Sequence, residues 1–226
     1  MTTPTYDSPP VSQQSSEPKA ESFLDWFRIN SRLVTIASVV VAAAAFGFWF
    51  YNRSAVLKAE NADRKLLAAK QSLSSGNLPL AQSDLKKVAD QYPSTSAGVE
   101  AGMLLAQTKL EQGDYQGAVT ELKDLVAKNE SGPYATPLRA LLGDAYSQLG
   151  KYAEAAAEYE RAALATQAPN ERALLLAKIG RTQSAAGNAA KARQAWESLA
   201  NQNDNAGLAA EARVRLGELL ATGAKS

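Results

Sequence analysis

The chain has 226 residues, 24 Lys and Arg against 23 Asp and Glu, no Cys and no His, for a net charge of +1. That inventory excludes disulfides, thiol nucleophiles, most zinc sites and the usual imidazole proton shuttle, and leaves no basic field for nucleic acid. Alanine supplies 44 residues against 9 Pro and 14 Gly, which favours an all-α chain with closely approaching helices.

Residues 1–22 hold four of the nine prolines and five serines with almost no large apolar side chain. Such a stretch buries too little surface to offset its ordering entropy and reads as a disordered tail. Asp7, Glu17 and Glu21 argue against a transit peptide.

Residues 23–53 form the second segment. Leu33 to Tyr51 is an uncharged run of 19 residues bracketed by Arg32 and Arg53. At about 1.5 Å per residue it reaches across a hydrocarbon layer of about 30 Å, so a single transmembrane helix is expected over 33–51. Phe46, Phe48, Trp49, Phe50 and Tyr51 crowd its end, where rings favour the headgroup boundary. Phe23, Leu24, Trp26 and Phe27 suit a short interfacial helix before it. A cleaved signal is disfavoured, because the segment ahead of the run is long and acidic and the aromatic cluster directly follows the small residues 42–45. Without cysteine there is no lipoprotein attachment site. Lys19, Arg28 and Arg32 precede the run and Arg53, Lys58, Arg64 and Lys65 follow it, a count that leans slightly toward a cytoplasmic C-terminal domain.

Residues 54–226 repeat themselves. Gly76, Gly113, Gly150 and Gly187 stand 37 residues apart. Five residues after each comes Ala81, Ala118, Ala155 or Ala192, and seven before each a small residue: Ala69, Ala106, Gly143 or Gly180. Nine residues after each is a large apolar side chain: Leu85, Leu122, Tyr159 or Trp196. Gly217 extends the series of small residues once more. Glycine ends the first helix of each unit in a left-handed turn, while Asn77, Asp114 or Asn188 is placed to cap the second. Pro79 suits a first helical turn. The small residues allow close crossings, and the large residue is expected to fill the gap between repeats. Such units cover their apolar faces only by stacking, so a superhelix follows. Helices are expected at 55–75, 79–92, 96–112, 115–128, 134–149, 152–166, 170–186, 189–201 and 206–221. The ninth lacks a partner, and Glu211, Arg213, Arg215 and Glu218 give it a polar surface fit for a solvated cap. With no Pro or Gly between Gly47 and residue 75, the membrane run and the first repeat helix are expected to join.

The pattern resembles the tetratricopeptide repeat, most clearly at residues 141–163, where Gly143, Tyr146, Gly150, Tyr152, Ala155, Tyr159 and Ala162 occupy framework positions. The family's 34-residue unit is stretched here to 37 through loops 91–95, 129–133 and 167–169. Ser72 and Gln183 stand where Tyr146 does. The resemblance implies an α-solenoid of about four helix pairs plus a capping helix, with a concave groove lined by the first helix of each pair. By that register the groove-facing residues are Asp63, Leu66, Lys70, Glu100, Met103, Gln107, Leu110, Ala140, Asp144, Ser147, Ala177, Arg181 and Ser184. The family's binders of chaperone tails hold a C-terminal carboxylate with Lys, Asn and Arg, and only Lys70 and Arg181 stand in for that clamp. The apolar lining near repeats 1 and 2 better suits an extended or helical peptide. An ordinary solvated inner face, with the binding surface elsewhere, stays open.

Nothing in the chain points to catalysis. The tyrosines at 92, 115, 134, 146, 152 and 159 recur mostly at framework positions, and acid pairs such as Glu158 and Glu160 point to different helix faces. There is no phosphate loop or nucleophile elbow, and no cofactor, metal ion or small-molecule substrate is expected.

A short tail, an N-terminal anchor and a degenerate solenoid together resemble the YfgM-like ancillary SecYEG translocon subunits of bacteria. The resemblance rests on Phe23-Leu24-Asp25-Trp26-Phe27 and Asn30, on Gly47-Phe48-Trp49-Phe50-Tyr51, and on Ala192-Arg193-Gln194-Ala195-Trp196-Glu197. It implies an inner-membrane protein, N-terminus inside, with periplasmic repeats that associate with SecYEG and periplasmic chaperones and hand exported polypeptides onward. That topology opposes the charge count, and long domains translocate largely regardless of charge. A membrane-tethered scaffold for another envelope or membrane complex is the alternative.

Overall fold

The structure is a computed structural model that describes residues 31–202 and 205–223. The tail at 1–22 and the interfacial segment before the membrane run therefore lie outside the described residues. Among those described there are nine helices and no strand: α1 (Ser31–Ser74), α2 (Leu78–Gln91), α3 (Ser96–Glu111), α4 (Tyr115–Lys128), α5 (Ala135–Gln148), α6 (Tyr152–Ala165), α7 (Pro169–Ala185), α8 (Ala189–Ala200) and α9 (Ala206–Gly223). The chain divides into two compact units, Met1–Ala55 and Val56–Ser226, with the division falling inside α1.

In the first unit, α1 is apolar and its side chains are almost all exposed. By length and composition it can cross a membrane. Two hydroxyl residues early in its apolar run bond back to the helix: Thr35 Oγ1 donates to the Ser31 carbonyl and Ser38 Oγ to the Val34 carbonyl, both at 2.8 Å. Their polar atoms therefore ask nothing of a surrounding apolar phase. Phe46 lies 5.9 Å from Trp49 and 6.5 Å from Phe50, ring centre to ring centre.

The second unit is built from one repeated turn. Gly76, Gly113, Gly150 and Gly187 all take positive φ, between 70° and 81°, which the absence of a Cβ permits. The amide after each glycine reaches back to a carbonyl five residues earlier, as from Asn77 to Ser72 at 3.0 Å and from Lys151 to Tyr146 at 2.9 Å. This closes the first helix of the pair with its last carbonyls satisfied. Asp114 Oδ1 then accepts from the Gly117 amide at 2.9 Å, and Asn77 Oδ1 from Leu80 at 3.3 Å, so both cap the second helix. Asn188 does not: its Nδ2 donates instead to Gln183 Oε1 at 3.0 Å, satisfying a buried amide at the place Tyr146 takes in the third repeat.

Packing follows the sequence register. Ala81, Ala118, Ala155 and Ala192 are all fully buried, as are Ala69 and Ala106. A Cβ placed on Gly143 would collide with the Tyr159 ring, and one on Gly180 with the Trp196 indole. The large side chain thus lies across the small residue of its own pair, with alanine under leucine in repeats 1 and 2 and glycine under an aromatic ring in repeats 3 and 4. It reaches the next repeat as well: Leu122 shares a core with Leu138 and Leu142, and Tyr159 with Leu175 and Ile179. The core is accordingly a series of local clusters along the array, as expected when each unit contacts only its neighbours.

The two ends of this array differ. The helix face turned to the preceding repeat is apolar and mostly buried in α5 (Leu138, Leu142, Ala145) and α7 (Leu175, Ile179, Thr182). The same register in α1 reads Arg64, Ala68 and Gln71, all exposed. At the far end α9 packs through Leu208, Ala212, Leu216 and Leu219 against the core shared with α7 and α8. Its polar residues do not make up the whole outer surface expected of a cap, because Val214 is 61% and Leu220 60% exposed.

Candidate functional site on the first-helix face

The second half of α1, together with the whole of α3, α5, α7 and α9, supplies the first helices of successive units, and charged side chains join neighbouring ones. Lys70 on α1 meets Glu100 on α3 at 2.5 Å. Asp144 on α5 accepts two bonds from Lys178 on α7, at 2.6 and 2.8 Å. Arg181 on α7 holds both oxygens of Glu211 on α9, at 2.9 and 2.6 Å. Among the described residues no ion pair joins α3 to α5. There the equivalent positions are Gln107, Pro137 and Leu141, beside Met103 and Leu110, which are partly buried against the cluster of Leu122 and Leu138. The row of ion pairs therefore has one neutral, more apolar rung.

This arrangement redistributes the predicted lining. Asp63, Gln107 and Ser184 are exposed, Ser147 and Ala140 half-buried. Leu66 is 5% exposed and belongs to the core with Ala62 and Ala69, and Ala177 is buried with Trp196, so neither can present its side chain to a partner. Lys70 and Arg181, the two residues in register with a carboxylate clamp, are each engaged by a carboxylate of this same chain. Ser184 Oγ donates to the Gly180 carbonyl at 2.8 Å. The pairing was missed in the sequence because its partners stand 30 to 34 residues apart. The signal was available: the positions of Lys70, Asp144 and Arg181 share one register, and each meets an opposite charge slightly less than one period later.

Asp144 is the best-connected group on the face. Besides Lys178 it accepts a bond from the Tyr159 hydroxyl at 2.7 Å, and the Lys178 ammonium stands 5.4 Å from the Tyr159 ring centre. Burial, and then the Asp144 charge, push the Tyr159 hydroxyl well above the usual tyrosine range, so it stays a neutral donor. Glu211 is held below the ordinary carboxylate range chiefly by the hydrogen bonds from Arg181. Behind the face, Glu158 is nearly buried between Arg139, at 3.1 Å, and Arg161. These groups are tied to one another in structural networks, and among the described residues no cluster of acidic side chains is arranged to hold a metal ion.

Paired helices, a recurring left-handed turn and a charged row along the first helices define an α-solenoid repeat protein, a class that typically serves as a non-catalytic interaction scaffold. The chain belongs to the tetratricopeptide repeat-like domain family, whose profile matches residues 25–142 and again 64–182. No curated protein matches the sequence. Among solved structures, a tetratricopeptide repeat protein from Parabacteroides merdae superposes with a TM-score of 0.60 at 15% identity, covering 72% of this chain and 61% of its own. The pilF protein of Pseudomonas aeruginosa gives 0.57 at 20% identity, over 74% of this chain and 71% of its own. BtubC from P. vanneervenii gives 0.58 at 16% identity, over 76% and 82%. At these identities the likeness is one of fold.

Proposed function

We propose that this protein is a non-catalytic, membrane-anchored protein–protein interaction module that associates with the SecYEG translocon and periplasmic chaperones and assists exported polypeptides. The observation that carries this reading is the combination, in one chain, of a tetratricopeptide repeat-like array with an N-terminal helix long and apolar enough to cross a membrane. Residues 33–51 are the membrane span in this reading, 54–226 the binding domain, and the repeats lie in the periplasm of a bacterium. The neutral rung at Met103, Gln107, Leu110 and Leu141 supports an apolar peptide as ligand, because a peptide side chain set there displaces no ion pair.

Affinity purification from solubilised membranes, with the helix intact, tests the partner. Recovery of translocon subunits or chaperones is expected, and photocrosslinkers at Met103 or Leu110 should capture them or a nascent chain. Recovery of neither ends this reading.

A second reading has its own observation. Arg53, Lys58, Arg64 and Lys65 outnumber the basic residues ahead of the span, which favours cytoplasmic repeats and a scaffold for another membrane complex. Alkaline phosphatase fused after Ser226 separates the two: activity places the repeats in the periplasm, and an inactive fusion favours the scaffold.

A further inference from the structure

In repeats 1 to 4 the first helix carries one face that the second helix of the same pair covers. That face holds Ala62, Val99, Thr136 and Ala173, all buried, and the small residues Ala69, Ala106, Gly143 and Gly180, buried too. Helix α9 repeats this face in register as Ala210, Val214 and Gly217, in line with the buried Ala173, Ala177 and Gly180, and all three are exposed. A Cβ on Gly217 would meet open space, where one on Gly143 or Gly180 would strike an aromatic ring. Among the described residues no helix lies over it. α9 thus has the register of a first helix, with no second helix over this face among the described residues, and its Leu208, Leu216 and Leu219 join it to the established stack.

We propose that this face of α9 is a docking site for an amphipathic helix of a partner protein, lying antiparallel to α9 in the place of a second helix. The partner's chemistry follows from the interface that the dock would continue. Each covering helix carries alanine four residues before its large side chain: Ala81 and Leu85, Ala118 and Leu122, Ala155 and Tyr159, Ala192 and Trp196. Where the residue beneath is alanine the large one is leucine; where it is glycine the large one is aromatic. Gly217 therefore selects an aromatic ring, preceded by alanine at the same spacing. Arg213 flanks the face on one side and Glu218, paired with Arg215 at 2.9 Å, on the other, so a helix with acidic and basic residues on opposite flanks fits its rim. A second copy of α9 brings no aromatic residue to Gly217 and fits it less well.

The probe is a fluorescein-labelled peptide with the sequence of residues 151–166, which contains α6 and its Tyr159, titrated into the full chain in detergent with anisotropy as readout. Saturable binding is expected, weakened at least about tenfold by Gly217→Leu, whose added side chain occupies the seat without crowding the fold. Val214→Asp is a second surface variant expected to act in the same direction. A peptide carrying Tyr159→Ala should fail to bind. Binding that ignores Gly217→Leu, or that survives loss of the tyrosine, overturns the proposal, as does the absence of binding at the solubility limit of the peptide. Self-association of the chain that Gly217→Leu abolishes, without peptide binding, overturns it in favour of a second copy.

Discussion

The two ends of the array solve the problem of a terminal repeat differently. At the start, the positions that would face a preceding repeat carry Arg64 and Gln71 where α5 has Leu138 and Ala145, so that surface is finished for water. At the other end, the positions that would face a covering helix keep the interior pattern of small and apolar residues, with Val214 and Gly217 uncovered. Surface exposure alone would rank the ends alike. Register separates them, because it states what each exposed residue would touch if the stack went on.

The largest expected effect tests the covered half of that contrast. Trp196→Ala removes a fully buried indole and should cost about 3–5 kcal/mol in chemical denaturation, whereas Val214→Ala at the equivalent end face should cost almost nothing. A cost for Val214→Ala close to that of Trp196→Ala would mean that the end is packed after all. Next come the glycines. Gly180→Ala forces the indole to move and should destabilise by about 1–3 kcal/mol, while Gly217→Ala, free of any neighbour, should raise stability by up to about 1 kcal/mol through helix propensity. At the finished end, Arg64→Leu should leave the unfolding free energy nearly unchanged, within about 0.5 kcal/mol, yet raise concentration-dependent association in sedimentation, since it restores an interior residue type to an open face.

The smallest effect concerns the tie between α7 and α9. Glu211 has a folded-state pKa below its unfolded one, so its contribution is present above the unfolded value and is lost as pH falls through the folded value. Glu211→Gln should therefore flatten the acid side of the stability profile. The pair is partly exposed, and the expected loss at neutral pH is on the order of a few tenths of a kcal/mol.

Much of this was legible because the repeat is written in residues with narrow conformational or steric roles. Four glycines at one spacing placed the turns, and the alanines five positions later placed the crossings. The side of the helix was harder to read. Family register puts Leu66 in the groove, yet Leu66 lies inside and its neighbour Leu67 is exposed, because one residue is about 100° of helix rotation. The cap expected at Asn188 fails for a related reason: an amide near a helix start has more than one partner within reach, and the buried Gln183 competes for it. The open face of α9 was hidden by its charged residues. Glu211 looks like solvent-facing polarity in a string of letters, while in the fold it is occupied by Arg181.

The pairing of small residue and covering side chain sets a rule of exchange between repeats. Excising residues 151–187 would join Gly150 to Asn188 and bring Trp196 over Gly143, so a ring again meets a glycine. Excising 114–150 would join Gly113 to Lys151 and bring Tyr159 over Ala106, where the methyl group stands in the way. The same length of chain, cut at two points one period apart, should give one array that closes and one that does not.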